Sequence, residues 1–407
     1  MRKIFQINTV VNSGSTGHIA EDIGQVAIAN GWNSYIAYGR LARESKSIKI
    51  KVGNVLDLYW HILLTRLFDM HGLASKRATK KLITQIKKIR PDIIHLHNIH
   101  GYYLNYEILF EYLRIANIPI VWTLHDCWAF TGHCTYFSRV NCNKWQTECN
   151  HCPQKNLYPK SIWKDRSRLN FLDKKKSFGL CKHLITLIPV SDWLAELASK
   201  SLFNGIEIKR IYNGINVNVF KPIEEYRKKD ILSKYSIKTD FLILGVAGDW
   251  VERKGFYDFI KLSAMLPDGF AILLVGLAKE KIKKLPKNII GIGRTEDLNE
   301  LAAIYSIANV FVNPTWEDNF PTTNLEALAC GTPVITYRTG GSVEAVSNDT
   351  GFIVEQGDIP SLLKAIEIIK TNGKDKYTDN CRKRAMKNFN KENRYKDYLD
   401  LYNELLN

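Results

Sequence analysis

Short apolar runs bounded by Gly, Pro, Asn and Asp alternate with stretches of helical spacing along all 407 residues. A strand covered on both faces reads as a continuous apolar run, and a helix laid on a sheet reads as an amphipathic stretch. The pattern therefore predicts parallel sheets with helical crossovers. In the first half the predicted strands are Lys3–Gln6, Ser34–Ala37, Asp92–His95, Ile120–Leu124 and Leu184–Pro189, with helices beginning near Gly17, Leu58, Ser75, Tyr106, Arg166 and Asp192. Tyr212-Asn213-Gly214 is a turn signal, and Lys221–Asp240 reads as a charged connector. A second α/β run follows, with strands at Leu242–Val246, Ala271–Val275, Ile289–Ile290, Val310–Asn313, Val334–Thr336 and Phe352–Val354. The tail from Asp379 has helical spacing, and no internal repeat or low-complexity tract is present. The expected class is α/β, with two Rossmann-like doubly wound domains at 1–215 and 216–389. Ligands of such sheets lie at strand carboxyl ends, so the expected site is the interdomain cleft.

The stretch WEDNFPTTNLEALACGTPVI, Trp316 to Ile335, concentrates the chemistry. A short strand ends at Asn313, a loop runs from Pro314 to Pro321, and a helix is predicted over Thr322–Ala329. A helix N-terminus beside a strand's carboxyl end presents free N–H groups and a positive dipole end, a ready phosphate site. Asp318 and Glu326, eight residues apart, flank that terminus and suit ligand hydroxyls as acceptors. A second strand, Leu242–Val246, leads into GDWVERKGFYDF, where Arg253, Lys254 and Gly255 form a candidate diphosphate clamp or an exposed basic turn.

The first half has its own polar groups at strand ends. Gly14-Ser15-Thr16-Gly17 follows the first strand, but its spacing fits neither the dinucleotide fingerprint nor the P-loop. His125 follows the strand Ile120–Leu124, and His95, His97 and His100 follow or end the strand before it. Strand alternation puts His95 and His97 on one face and leaves His100 beyond it, so core histidines are the simpler reading than a metal site. Cys134, Cys142, Cys149 and Cys152 form C-x7-C-x6-C-x2-C in an insertion spanning 127–155. Four thiolates ending in CxxC suit a structural zinc that staples a polar loop, the alternatives being free buried thiols or disulfides.

VFVNPTWEDNFPTTNLEALACGTPVI together with the RKG loop resembles the donor half of the GT-B retaining glycosyltransferases, family four of the usual classification. The resemblance covers nearly the whole chain, including the NGIN turn at Asn213–Asn216. It implies that Glu326 holds the nucleotide ribose and that Asp318, where the family has glutamate, faces the transferred sugar. It implies a phosphate loop at Phe320, Thr322, Thr323 and Asn324. Where many members carry an arginine after the strand, this chain has Gly248 and Asp249, which leaves Lys254 and Arg253 as the diphosphate cations. By the same resemblance Gly17 lies beside donor phosphate, His125 is the cleft histidine near the reacting sugar, and a C-terminal helix at about 390–407 packs back on the first domain. The cysteine insertion after TLHDCW, with HLHNIHGYYLN before it, is similar to bacterial capsule, colanic-acid and O-antigen glycosyltransferases. The implied activity is retaining, metal-independent sugar transfer from a nucleoside-diphosphate sugar to a lipid-linked or oligosaccharide acceptor. A GT-B sugar-nucleotide epimerase and a silent glycan-binding protein remain the alternatives.

Charge narrows the partners. The first 220 residues hold 30 Lys and Arg against 15 Asp and Glu, and the remainder 27 against 26. A basic half suits an anionic membrane, nucleic acid or a phosphorylated acceptor, and the family match disfavours nucleic acid. No secretory signal or apolar run of about 18 residues is present, so a cytoplasmic protein is expected, peripheral at the inner face of the membrane. Asp57–Phe68 and Lys76–Arg90 pair an aromatic apolar face with a basic one, which suits either anionic lipid or core packing. No Asp-x-Asp pair occurs, which argues against the metal-dependent single-domain glycosyltransferase plan.

Overall fold

Among the described residues of the computed structural model, Met1–Thr295 and Asp297–Asn407, all strand pairings within the two sheets are parallel. The chain divides into two units, one formed by Met1–Tyr212 with Tyr395–Asn407 and the other by Asn213–Arg394.

The first unit contains strands β1 (Lys3–Asn8), β2 (Asn33–Tyr38), β3 (Ile48–Lys51), β4 (Ile93–Leu96), β5 (Ile120–Leu124), β6 (Ile185–Pro189) and β7 (Glu207–Ile208), in the order β3-β2-β1-β4-β5-β6-β7. Its crossovers are α1 (Gly14–Ala29), α2 (Val55–Phe68), α3 (Lys76–Ile89), α4 (Tyr106–Ala116), α5 (Ser167–Gly179) and α6 (Asp192–Ser199). The period-two alternation of strands feeds two cores: along β1, Phe5 and Ile7 enter one and Ile4 the other. β3 and β7 escape the apolar pattern because they are edge strands. IKIK is mostly exposed and β7 has only two residues, and charged or short edges resist further strand pairing.

The second unit contains β8 (Phe241–Val246), β9 (Phe270–Val275), β10 (Ile289–Ile292), β11 (Val310–Asn313), β12 (Val334–Tyr337) and β13 (Gly351–Val354), in the order β10-β9-β8-β11-β12-β13. Its helices are α7 (Glu225–Lys234), α8 (Phe256–Met265), α9 (Lys279–Ile282), α10 (Leu298–Ile307), α11 (Thr322–Ala329), α12 (Ile359–Asn372) and α13 (Asp375–Phe389). The expected connector Lys221–Asp240 contains α7, which is tied to α10 by Lys234 and Tyr235 on Glu300 at 2.5 and 2.7 Å. It has no buried residue, so its sequence lacks the apolar stripe that marks the other helices. The last helix, α14 (Lys391–Leu405), buries Tyr395, Tyr398, Leu399, Leu401 and Tyr402 with Ile4, Ile93, Val121 and Ile188 of the first unit. Tyr402 reaches His95 Nδ1 at 2.6 Å, and the Tyr398 hydroxyl lies 3.1 Å from Thr123 Oγ1.

Both sheets reverse winding direction once near the middle, at β1/β4 and at β8/β11. A crevice opens outside the strand carboxyl ends at such a reversal, because neighbouring connections depart to opposite faces.

Candidate functional site

At the reversal of the second sheet, two loops meet. β8 leads to a short 3-10 turn, Glu252–Lys254, that carries Arg253 and Lys254, and β11 leads to the Pro314–Pro321 loop. Gly255 closes the turn at φ +74, and a Cβ there would lie 2.1 Å from the Pro314 carbonyl oxygen. Only glycine permits both this backbone conformation and this approach. The Arg253 carbonyl accepts from Trp316 N–H (2.7 Å) and Thr315 Oγ1 (3.1 Å), while Arg253 Nη1 donates to the Glu317 carbonyl at 3.0 Å. The Lys254 ammonium bonds Asp318 Oδ2 at 2.5 Å, and Asn319 N–H donates to the other oxygen. Burial alone would raise the Asp318 carboxyl, but Lys254 and Arg253 outweigh it and hold the group below its ordinary range.

Glu326 lies one turn into α11 and receives the Tyr305 hydroxyl at 2.9 Å. Burial pushes its carboxyl up to about 7 despite hydrogen bonds from Tyr305 and Thr322. A buried carboxyl that receives two hydroxyls still has lone pairs with which to accept ligand hydroxyls. Thr322 and Thr323 supply the first amides of α11, ahead of any i→i−4 bond. Asn324 and Phe320 serve the frame. Asn324 N–H bonds the Pro321 carbonyl, and its side chain accepts from Asn313 Nδ2 (2.8 Å) and donates to Ser342 (3.0 Å). Phe320 is buried against Phe389.

At the reversal of the first sheet, Gly17 lies in the first turn of α1, buried, where a Cβ would meet Val10 Cγ2 at 3.0 Å and the Asn12 nitrogen at 3.2 Å. His18 is exposed on that turn and pairs with Asn12 at 2.8 Å. His125 follows β5 and lines a small pocket with His97, His100 and Asp126. Its ring stacks near His97, with Nε2 3.3 Å from His97 Nδ1. Gln6 sets the polarity of this chain of groups. Its Nε2 donates to the Ala20 carbonyl, which only accepts, so its Oε1 faces His97 Nε2 at 3.0 Å. His97 must then carry its proton on Nε2 and accept at Nδ1, which assigns the proton of His125 to Nε2 and leaves Nδ1 as an acceptor. Both imidazoles are neutral near pH 7. Burial pushes His125 down to about 4, with Asp126 opposing and His100 adding to the shift; burial also holds His97 well below its ordinary value, with His95 and His125 adding.

The family model described as "Glycosyl transferases group 1" matches residues 227–388, and "Glycosyltransferase Family 4" matches residues 24–219. The two matches are separated by only a few residues, just past the start of the second unit, and together span most of the chain. The chain belongs to the GT-B glycosyltransferases. This glycosyltransferase is 25% identical over 392 residues to the putative colanic acid biosynthesis glycosyl transferase WcaC of Escherichia coli K12, covering 89% of each chain. It is also 25% identical over 229 residues to the UDP-Gal:alpha-D-GlcNAc-diphosphoundecaprenol alpha-1,3-galactosyltransferase of Escherichia coli, covering 52% of this chain and 58% of that one. Among solved structures, sucrose-phosphate synthase of Thermosynechococcus elongatus superposes with a TM-score of 0.73 at 19% identity, over 100% of this chain and 99% of the other, which shows the shared fold.

In this glycosyltransferase the zinc expectation for Cys134, Cys142, Cys149 and Cys152 is not supported. Among the described residues no group of three or more His, Cys, Asp or Glu side chains could hold a metal ion. The four free thiols line one pocket with His133 and Trp145, and the Cys134 and Cys152 thiols bond each other. The expectation assumed a loop too polar to pack. Instead the insertion buries Trp128, Phe130, Phe137 and Trp145, with Phe137 stacked on Trp145 at 5.0 Å and Phe130 5.5 Å from it. The Lys174 ammonium, 3.4 Å from the Trp128 ring centroid, donates to the carbonyls of Trp128 and Thr131.

Sequence reasoning missed Gln6 as a site residue and missed Tyr158. The Tyr158 hydroxyl lies 3.2 Å from His100 Nδ1, and His100 Nε2 lies 3.0 Å from Asp126 Oδ2. A signal for Gln6 was present: an amide set between Phe5 and Ile7 interrupts an apolar run, and a buried amide there needs partners. Tyr158 had none, because it lies far along a loop-rich insertion from His100, the residue it pairs with.

Proposed function

We propose that this glycosyltransferase moves a hexose-type sugar from a nucleoside diphosphate to a lipid-linked or oligosaccharide acceptor in the assembly of a bacterial cell-surface polysaccharide, with retention at the anomeric carbon. The carrying observation is the convergence of Lys254, Asp318, Glu326 and the α11 N-terminus at the β8/β11 reversal. In this reading Glu326 accepts the ribose hydroxyls, Asp318 accepts a hydroxyl of the transferred sugar, and Lys254, Arg253 and the amides of Thr322 and Thr323 stabilise the departing diphosphate. The Lys254–Asp318 pair keeps both groups in place before donor arrives, and the diphosphate then offers Lys254 a second anion. These cationic and dipolar groups support a reaction that needs no metal. His125, with Nδ1 as acceptor, serves a hydroxyl of the reacting sugar, and Gly17 lets backbone approach phosphate. The second unit is thus the donor side and the first the acceptor side.

The names of the two bacterial relatives support this reading, colanic acid biosynthesis in one and a diphosphoundecaprenol-linked sugar in the other. A lipid-linked acceptor places the protein at a membrane surface. Among the described residues no helix is long and apolar enough to cross one, so the contact in this reading is peripheral. The test is a panel of nucleoside-diphosphate sugars incubated with diphospho-lipid acceptors, with the product's anomeric configuration read by NMR. The reading predicts one preferred donor and an unchanged configuration, and Asp318→Glu reorders the donor preference. Inverted product would overturn retention, and an unchanged ranking would overturn the role of Asp318.

A further inference from the structure

Helix α2 is built inside out. Its buried residues are the polar His61 and Thr65, while Leu56, Tyr59 and Trp60 are 78%, 65% and 58% exposed and Leu63 is also exposed. A helix that packs on a sheet hides its apolar stripe. Here the inward face is satisfied by hydrogen bonds instead: His61 Nδ1 to Ser75 Oγ at 2.8 Å, Gly72 N–H to His61 Nε2 at 3.0 Å, and Thr65 Oγ1 to the His61 carbonyl at 2.9 Å. This removes core packing as the account of the apolar face.

A second segment extends the same surface. Ile162 N–H donates to the Arg66 carbonyl at 2.7 Å and Lys164 N–H to the Leu67 carbonyl at 3.1 Å, which fastens Ile162 and Trp163 to the end of α2. The Trp163 ring lies 5.8 Å from Phe68, and Ile162 and Trp163 are themselves 60% and 64% exposed. Midway along α2, the same His61–Ser75 bond joins the helix to α3, since Ser75 is the N-cap residue of α3. α3 buries Ala78, Thr79, Leu82 and Ile86 and turns Lys76, Arg77, Lys80, Lys81, Lys87 and Lys88 to solvent.

We propose that Leu56, Tyr59, Trp60, Leu63, Ile162 and Trp163 form a docking face that enters the interfacial layer of an anionic lipid bilayer, with the cations of α3 on its phosphate headgroups. Two indole rings and a tyrosine among aliphatics match the boundary between acyl chains and headgroups, and the neighbouring lysines match its negative potential. A protein partner with an apolar groove would need no such cationic border. This deepens the lipid-linked acceptor reading and rests on it for its purpose, since a docked enzyme meets its acceptor in two dimensions. The lipid contact itself is measurable without any transfer.

The full-length protein is sedimented with vesicles of phosphatidylcholine alone or mixed with phosphatidylglycerol, beside Leu56→Ser/Trp60→Ser and Lys80→Glu/Lys81→Glu variants. All four positions are exposed, so these changes spare the core. Wild type is expected to bind the anionic vesicles, the apolar variant to bind at least about tenfold more weakly at low and high salt, and the charge variant to lose the anionic preference. Bromine-labelled acyl chains should quench tryptophan emission in wild type and less in the apolar variant. Absence of binding to anionic vesicles, or equal binding by wild type and the apolar variant, overturns the inference. So does self-association without lipid that the apolar variant abolishes, since a second copy would then cover this face. Transfer to a short-chain soluble acceptor should be the same in the apolar variant and wild type. Vesicle binding without sugar transfer would leave the docking face standing and overturn the acceptor reading alone.

Discussion

Glu326 carries a pH signature of its own. In the unfolded chain such a carboxyl ionises near 4.5, and in the folded protein burial moves it up to about 7. Between those values the folded state holds more protons than the unfolded one, so stability is complete below 4.5 and declines as pH rises through 7. The whole effect is at most about 3 kcal/mol. Glu326→Gln removes it, so the drop in melting temperature between pH 5 and pH 8 should be smaller in the variant than in wild type. Equal drops would place the ionisation elsewhere. The first unit has a parallel case in His125, whose proton is assigned to Nε2 through His97 and Gln6. Ring-nitrogen NMR of histidine-labelled protein at pH 7 should show a protonated Nε2 and an unprotonated Nδ1 at His125, and His97→Phe should mix the two forms. A proton on Nδ1 in wild type contradicts the assignment. Of these groups Glu326 and His125 were legible in the sequence as polar residues at strand or helix ends. The polarity that Gln6 imposes was not, because it depends on which side of the amide faces Ala20.

Among elements, strands and helices buried on a sheet were the most legible, because a covered strand has to be apolar. Ile120–Leu124, Val310–Asn313 and the helix Thr322–Ala329 fall where the pattern puts them. Elements whose stability comes from other sources were harder to see. β3 and β7 are edges, α7 lacks a buried face, and α2 shows an apolar stripe that points outward. The cysteine insertion misled for a related reason. Cysteine spacing is visible in one dimension, whereas the Phe130, Phe137 and Trp145 cluster that packs the loop exists only once the chain turns back. The turn that carries Arg253 and Lys254 gives the sharpest test at this scale. Gly255→Ala sets a methyl group against the Pro314 carbonyl in a left-handed backbone conformation, and should cost about 2 kcal/mol or more. It should also weaken nucleoside-diphosphate binding by displacing both cations, which calorimetry would register. An alanine variant with wild-type melting and wild-type affinity would remove the loop from the site.

For the whole molecule, two sheets each reverse once, and the candidate groups of each unit gather at its own reversal: Gly17, His97 and His125 in one, Arg253, Lys254, Asp318 and Glu326 in the other. The fold class followed from alternating apolar and amphipathic runs, and the strand-end location of candidate groups followed from the fold class. Donor sugar, base and linkage did not follow, since they depend on loop geometry that hydrophobic periodicity does not encode. The central claim is that the β8/β11 groups bind a nucleoside-diphosphate sugar for transfer. Its most direct test is transfer of labelled sugar from a donor panel to membrane lipid extract by wild type, Lys254→Ala and Glu326→Ala. Wild type should label the lipid from at least one donor, with kcat/KM about a hundredfold lower or more in each variant. Undiminished transfer by both variants, or conversion of donor sugar with no acceptor present, would contradict it.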